Sequence, residues 1–248
     1  MAKTERLKIL QAGDLWYAVQ YTSLKGGVAR ERRAARHSIS NRVRESINFR
    51  TSWQKLWLVM ESTFRDRKDL YVTLTYRDGD LPRTREEADR RLGNFLRQLR
   101  KRRRESGQDL VYLRITEGYH SGGRLHHHLV INGTGKDYDL IRSLWEGNGD
   151  KIDIRPYRQK ESQELAQYLT KEPREQGRRH VGDRTWRVSR NAKRPVVTYE
   201  DVPEGTALTA PPGAVVLDRD EKQNTYGRFQ FLRYRLPEEG AKPEKSPW

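Results

Sequence analysis

The clearest hydrophobic periodicity lies between residues 49 and 172. Phe49, Trp53, Leu56, Trp57, Met60 and Phe64 recur at helical spacing and predict a helix that docks one apolar stripe on a core. Leu70 to Tyr76 (LYVTLTY) is β-branched and aromatic and reads as a strand. Arg77 to Pro82 is a turn, and Thr84 with Glu87 forms a capping box for a helix running to about Arg104. That helix buries Leu92, Phe95, Leu96 and Leu99. Val111 to Gly118 and Arg124 to Asn132 read as a hairpin around Ser121-Gly122-Gly123. Asp137 to Trp145 is a short amphipathic helix and Lys151 to Tyr157 an alternating strand. Glu161 to Glu172 is a helix stopped by Pro173. Outside this span the signals are weaker. Asp14 to Tyr21 suggests a short strand, Arg30 to Arg44 an arginine-rich helix, Tyr199 to Gly213 a linker, and Tyr226 to Leu236 a late strand. Pro237 to Trp248 has the composition of a disordered tail.

The order strand, helix, strand, strand, helix, strand predicts an α+β fold. The expected form is an antiparallel sheet of four to five strands with a ferredoxin-like (β-α-β-β-α-β) core flanked by helices. The first and third strands are central in that arrangement, which places Arg124 to Asn132 mid-sheet. The expected division is a basic helical extension over 1–64 docking on the core, a core domain over 65–200, and a C-terminal extension over 201–248.

Composition narrows the partner. Net charge is +16 with a pI near 10.1, which calls for an anionic partner such as nucleic acid. Residues 201–248 carry seven Lys/Arg and eight Asp/Glu, so the excess lies in the first 200 residues. Its densest cluster is Arg97, Arg100, Lys101, Arg102, Arg103 and Arg104, more than complementing a helix C-terminus requires. Arg97, Arg100, Lys101, Arg103, Arg104, Arg124 and Arg187 are the candidate DNA-binding residues. The absence of cysteine removes disulfides, thiolate ligands and a cysteine nucleophile. No apolar run approaches membrane-spanning length, so the expected setting is cytoplasmic, without a membrane partner.

The candidate chemistry centres on Glu117 to Asn132 (EGYHSGGRLHHHLVIN), which holds four of the six histidines. Strand parity puts His126 and His128 on one face and His127 on the other, so replacing His127 should spare activity. Glu117, on the partner strand, supplies a third ligand. Two imidazoles and a carboxylate suit a divalent cation in an open site, and Mg or Mn fits this mixed set best. Three adjacent histidines also read simply as polarity on an edge strand. Likewise LAQYLTKEP, taken alone, is an amphipathic helix with a half-buried tyrosine.

Gly123-Arg124-x-His126-x-His128 before an apolar run, with Glu117 nine residues before His126, resembles the metal motif of the HUH endonucleases. The family's middle position is usually a bulky apolar residue, whereas here it is His127. Tyr168-x-x-Lys171, 40 residues beyond His128, is similar to that family's nucleophile helix, and the likeness covers about residues 70 to 172. Arg187 to Pro195 is a weaker likeness to plasmid and phage initiators. The resemblance implies a single-tyrosine rolling-circle replication initiator whose nuclease domain is residues 65–200. Such an enzyme binds a metal through Glu117, His126 and His128. It nicks single-stranded DNA at a replication origin through a covalent 5′-phosphotyrosine on Tyr168, assisted by Lys171. No helicase-type phosphate loop is present, so unwinding would fall to a host helicase. The residue one turn after Tyr168 is Glu172, so a second phenol on that face is not expected. Two alternatives remain: a transposase or relaxase of the same chemistry, and a non-catalytic nucleic-acid-binding module. The latter needs exposed aromatics, for which Tyr71, Tyr76 and Tyr112 are candidates.

Overall fold

A computed structural model describes residues 4–22, 42–118, 124–145, 149, 151–171, 186–224 and 227–237. In the first helix, side chains are described from residue 49. The chain divides into two units, one of Met1–Ile39 with Arg194–Trp248 and the other Ser40–Lys193.

In the first unit, β1 (Thr4–Ala12) and β2 (Leu15–Thr22) form a hairpin turned by Gly13 at φ 65°. They join β8 (Val196–Pro203), β9 (Val215–Asn224) and β10 (Gly227–Arg235) in an antiparallel sheet of order β8-β1-β2-β10-β9. Ala18, Leu232 and Tyr234 are its buried centre, with Trp16 stacked on Tyr234 at 6.2 Å. Residues 1–64 are therefore not one helical extension: 4–22 are strands. Residues 201–248 do not stand apart, since β9 and β10 complete the sheet begun by β1 and β2. The linker read at Tyr199 to Gly213 begins within β8.

The second unit carries α1 (Arg42–Thr63), β3 (Leu70–Thr75), α2 (Arg85–Glu105), β4 (Tyr112–Glu117), β5 (His126–Ile131), α3 (Asp137–Trp145), β6 (Ile152–Pro156), α4 (Ser162–Leu169) and β7 (Trp186–Val188). The Thr84 hydroxyl caps α2 by accepting from Glu87 N at 3.2 Å. The Glu87 carboxylate accepts from Arg83 N rather than returning to Thr84, so the capping box is half formed. The sheet order is β6-β3-β5-β4-β7, antiparallel throughout, with β3 and β5 inside. Hence the histidine strand lies mid-sheet. α4 stops at Leu169, short of the expected Glu172, and Glu172 and Pro173 lie outside the described residues. So do residues 30–41 of the arginine-rich stretch and the tail from 238. Among the described residues no helix is long and apolar enough to cross a membrane.

The sheet has two unlike faces. On the back face Val72, Leu74, Tyr76, Leu129 and Ile131 pack with Leu92, Phe95, Leu96 and Leu99 of α2 and Ile141 and Trp145 of α3. On the front face stand Tyr71, Thr73, His126, His128, Val130, Ile115 and Glu117, by strand alternation and register. A one-residue slip of β5 would turn Leu129 and Ile131 off the core, at roughly 1.5–3 kcal/mol each. The back-face core thus fixes which histidines face forward.

α4 is anchored to α1 through a buried polar cluster. Trp57 Nε1 donates to Ser162 Oγ at 2.9 Å and to Glu61 Oε1 at 3.0 Å. Ser162 Oγ donates to the same carboxylate, and Gln159 Nε2 donates to Glu61 Oε2 at 3.0 Å. Ser162 and Glu61 are both nearly fully buried, so removing either leaves unsatisfied polar atoms. This cluster fixes the start of the helix that carries Tyr168.

Candidate active site

Register brings the carboxylate to the histidines. Glu117 is opposite His126 in the β4–β5 ladder, and Ile115 is opposite His128. Glu117 Oε2 lies 3.6 Å from His126 Nε2 and 3.5 Å from His128 Nε2, and the two Nε2 atoms are 3.0 Å apart. A circle through these three atoms has a radius of about 2.0 Å, the length of a metal–nitrogen bond. One small cation can therefore touch all three.

Each imidazole is turned toward this point by its other nitrogen. His126 Nδ1 donates to the Arg124 carbonyl at 2.8 Å, which leaves the Nε2 lone pair directed at Glu117 and His128. Gly118, at φ 92°, permits that carbonyl's position, because a Cβ at 118 would overlap Arg124 O. His128 Nδ1 lies 2.7 Å from the Tyr71 hydroxyl and 3.2 Å from Thr73 Oγ1, both able to accept its proton. The Tyr71 ring stacks on His128 at 5.6 Å between centroids. Burial pushes the Tyr71 phenol well up, so it remains a neutral hydroxyl.

The pocket's electrostatics ask for a cation. Burial alone would raise the Glu117 carboxyl, but its interactions with His126 and His128 outweigh that and hold it at about 2. It is thus an anion at neutral pH. Its second oxygen, Oε1, is buried without a hydrogen-bond partner. A buried carboxylate with one orphaned oxygen, facing two imidazole lone pairs, fits a divalent ion. Glu117, His126 and His128 form the group of residues that can hold a metal ion.

Tyr168 reaches the same place from α4. Its ring meets His128 edge to face at 6.2 Å, and it is 56% exposed despite its size. Lys171 is exposed and lies past the helix end, in a turn closed by Lys171 N donating to Tyr168 O at 3.0 Å. The two residues are therefore neighbours across a turn rather than along one helical face.

His127 does face away, but it is a core residue. It is completely buried, with Nε2 2.5 Å from the Tyr76 hydroxyl and Nδ1 2.9 Å from Thr116 Oγ1. Its ring packs against Tyr76 and Trp145. Burial holds its pKa down at about 3, so the ring is neutral.

The candidate DNA-binding cations divide. Arg103 is corrected: it is 1% exposed and donates to Asp137 Oδ1 and Asn132 Oδ1, each at 2.7 Å. It ties α2 to α3 and is closed to a phosphate. Arg124 is partly exposed, but its guanidinium already donates to Asp78 and to the Tyr76 carbonyl. Arg97, Lys101 and Arg104 are exposed on the outer side of α2, Arg100 is half-buried, and Arg187 is exposed on β7. Sequence reasoning missed Tyr71 as the partner of His128, and Arg155, opposite Tyr71 on the exposed front of β6. Tyr71 alternates with buried Val72, a strand-parity signal, but only the β3–β5 pairing shows what it faces.

The fold and site together define an α+β protein with a candidate two-histidine, one-glutamate metal centre beside an exposed tyrosine. Residues 69–181 match the family model described as Replication-associated protein ORF2. The match covers less than half of the chain, from the start of β3 past Tyr168, and supports a replication initiator family. No curated protein and no solved structure gave a significant match.

Proposed function

We propose that the Ser40–Lys193 unit is an HUH-type nuclease with a ferredoxin-like core that initiates rolling-circle replication. It nicks and rejoins single-stranded DNA at an origin. The observation that carries this reading is the placement of exposed Tyr168 against His128, one of three residues converging on a cation-sized point. The similarity to replication-associated proteins across the same residues supports it.

In the reaction the Tyr168 oxygen forms a bond to the scissile phosphorus as the phosphorus–O3′ bond breaks. The departing 3′ oxygen takes up a proton and the phenol loses one. The 5′ phosphate stays on tyrosine, and attack by a 3′-hydroxyl reverses the step without an external energy source. A Mg or Mn ion held by Glu117, His126 and His128 would polarise the phosphate and offset its charge in the transition state. Tyr71, Thr73 and the Arg124 carbonyl keep the imidazoles oriented. Lys171 contributes positive charge next to the nucleophile. The surroundings are cytoplasmic, and a host helicase opens the duplex.

The binding-module alternative needs exposed aromatics, and two of its three candidates are occupied. Tyr76 is fully buried, and Tyr71 is held by His128. A transposase or relaxase would share the chemistry and differ only in the DNA it acts on.

The test is cleavage of a labelled single-stranded oligonucleotide pool with Mn or Mg. The wild type should cleave, and EDTA, His126→Ala and His128→Ala should each abolish cleavage while circular dichroism stays native. Undiminished cleavage by His128→Ala or in EDTA would refute the metal-centre reading.

A further inference from the structure

Helical phase divides the basic run of α2 into a buried part and an exposed ridge. Arg103 belongs with Leu92, Leu96 and Leu99 on the core side. Arg97, Arg100, Lys101 and Arg104 fall on one outer flank and, with Glu105, line a shallow depression of about 550 Å³. Arg90 continues the same flank toward the start of the helix and is exposed.

This ridge is on the other side of the sheet from the candidate cleavage site. α2 packs on the back face through Leu92, Phe95, Leu96 and Leu99, whereas His126, His128 and Glu117 face forward. Arg187 extends the basic surface: the β4–β7 register sets it beside Arg114 on the back face, and it is exposed. A strand entering the cleavage site does not also lie on this ridge.

Gly93 is the second observation. It sits inside α2 on the same flank, between Arg90 and Arg97, and a Cβ there would meet nothing within 4 Å. Packing does not require glycine at that point, and an exposed mid-helix glycine costs about 1 kcal/mol relative to alanine. What it provides is bare backbone between two arginines, where an extended ligand can approach closely.

We propose that this back-face ridge binds the phosphate backbone of duplex DNA, at a site separate from the one that takes the single strand. The proposal rests on the reading above for the identity of the anion as DNA. The surface suits a duplex better than a single strand. Non-specific single-strand sites add aromatic platforms on which bases stack. The aromatic nearest the ridge, Tyr112, has the Arg100 guanidinium over its ring at 5.7 Å. Cations without stacking surfaces read phosphates alone. A unit with a duplex site behind and a single-strand site in front is suited to a junction between paired and melted DNA.

The experiment compares R97Q/R100Q/K101Q/R104Q with R67Q/K68Q/R158Q/K160Q, which removes four exposed charges elsewhere on the same unit. Glutamine keeps helix propensity, and circular dichroism verifies folding. Binding to a blunt duplex and to oligo-dT is followed by fluorescence anisotropy across a salt series. The ridge variant should lose at least about tenfold in duplex affinity, and its log–log salt slope should fall by about 3.6. Oligo-dT binding should change much less, and the control variant should bind duplex like wild type. Equal duplex losses in both variants would show that only net charge matters and would overturn the proposal. Equal losses on duplex and oligo-dT would overturn the duplex assignment. Adduct formation by wild type on a single-stranded oligonucleotide, run in parallel, separates the two claims. Adduct without ridge-dependent duplex binding defeats only this inference, and ridge-dependent duplex binding without adduct defeats only the cleavage reading.

Discussion

The Tyr71 hydroxyl lies 2.7 Å from His128 Nδ1, on the opposite edge of the ring from the Nε2 that faces Glu117. The phenol is neutral, so it can accept the Nδ1 proton and leave Nε2 as the donor to a metal. Such partners typically account for 10- to 100-fold in metal affinity. Tyr71→Phe should weaken Mn binding by about tenfold or more in calorimetry while the fold persists. Unchanged Mn affinity would mean that Thr73, at 3.2 Å, suffices to orient the ring.

His127 tests the difference between facing away and being dispensable. The sequence predicts that its removal spares activity, but the ring fills a buried site between Tyr76, Thr116 and Trp145. His127→Ala opens a cavity and strands the Tyr76 hydroxyl, at a cost of about 3 kcal/mol. The melting temperature should fall by about 10 °C. Cleavage per folded molecule, measured well below the melting point, should stay near wild type. A wild-type melting temperature would contradict the packing described for β5.

Gly118 and Gly107 both have positive φ, 92° and 68°, but only Gly118 has the Arg124 carbonyl against its missing side chain. Alanine at either site adds backbone strain of about 1–3 kcal/mol. Only Gly118→Ala should also displace the acceptor that orients His126, and so lower Mn affinity. Equal Mn affinities for the two variants would remove Gly118 from the description of the centre.

The basic run on α2 should respond unevenly. Arg103→Met leaves Asp137 buried without its cation and should destabilise the unit by about 3–5 kcal/mol. Arg104→Gln, at an exposed position, should change stability by no more than about 0.5 kcal/mol. Chemical denaturation of the two single variants separates these values, and similar midpoints would contradict the burial of Arg103.

The parts of the fold that were legible in sequence are those where side chains repeat a burial pattern. LYVTLTY and the run ending in Leu129-Val130-Ile131 sit mid-sheet and carry apolar residues to satisfy their neighbours. β9, Val215 to Asn224, does not: it pairs only with β10 and presents Asp218, Asp220 and Lys222 to solvent. Its backbone hydrogen bonds hold it whatever its side chains, so no alternation marked it. The metal residues were legible because strand parity needs only local spacing. Tyr71 was not, because its role depends on which strand lies beside β5. Arg103 was missed although its signal was present. Four residues after Leu99, it shares the core phase of α2, and counting charges obscured that phase.

The central claim is that Tyr168 attacks DNA beside the Glu117, His126 and His128 centre. It is tested most directly by trapping the protein on single-stranded DNA with Mn, denaturing in SDS, digesting, and mapping the adduct by peptide mass. The expected result is a nucleotide on the peptide containing Tyr168, lost in Tyr168→Phe although that variant still binds the DNA. An adduct on Tyr71, Tyr157 or Tyr199, or one that survives in Tyr168→Phe, would contradict it.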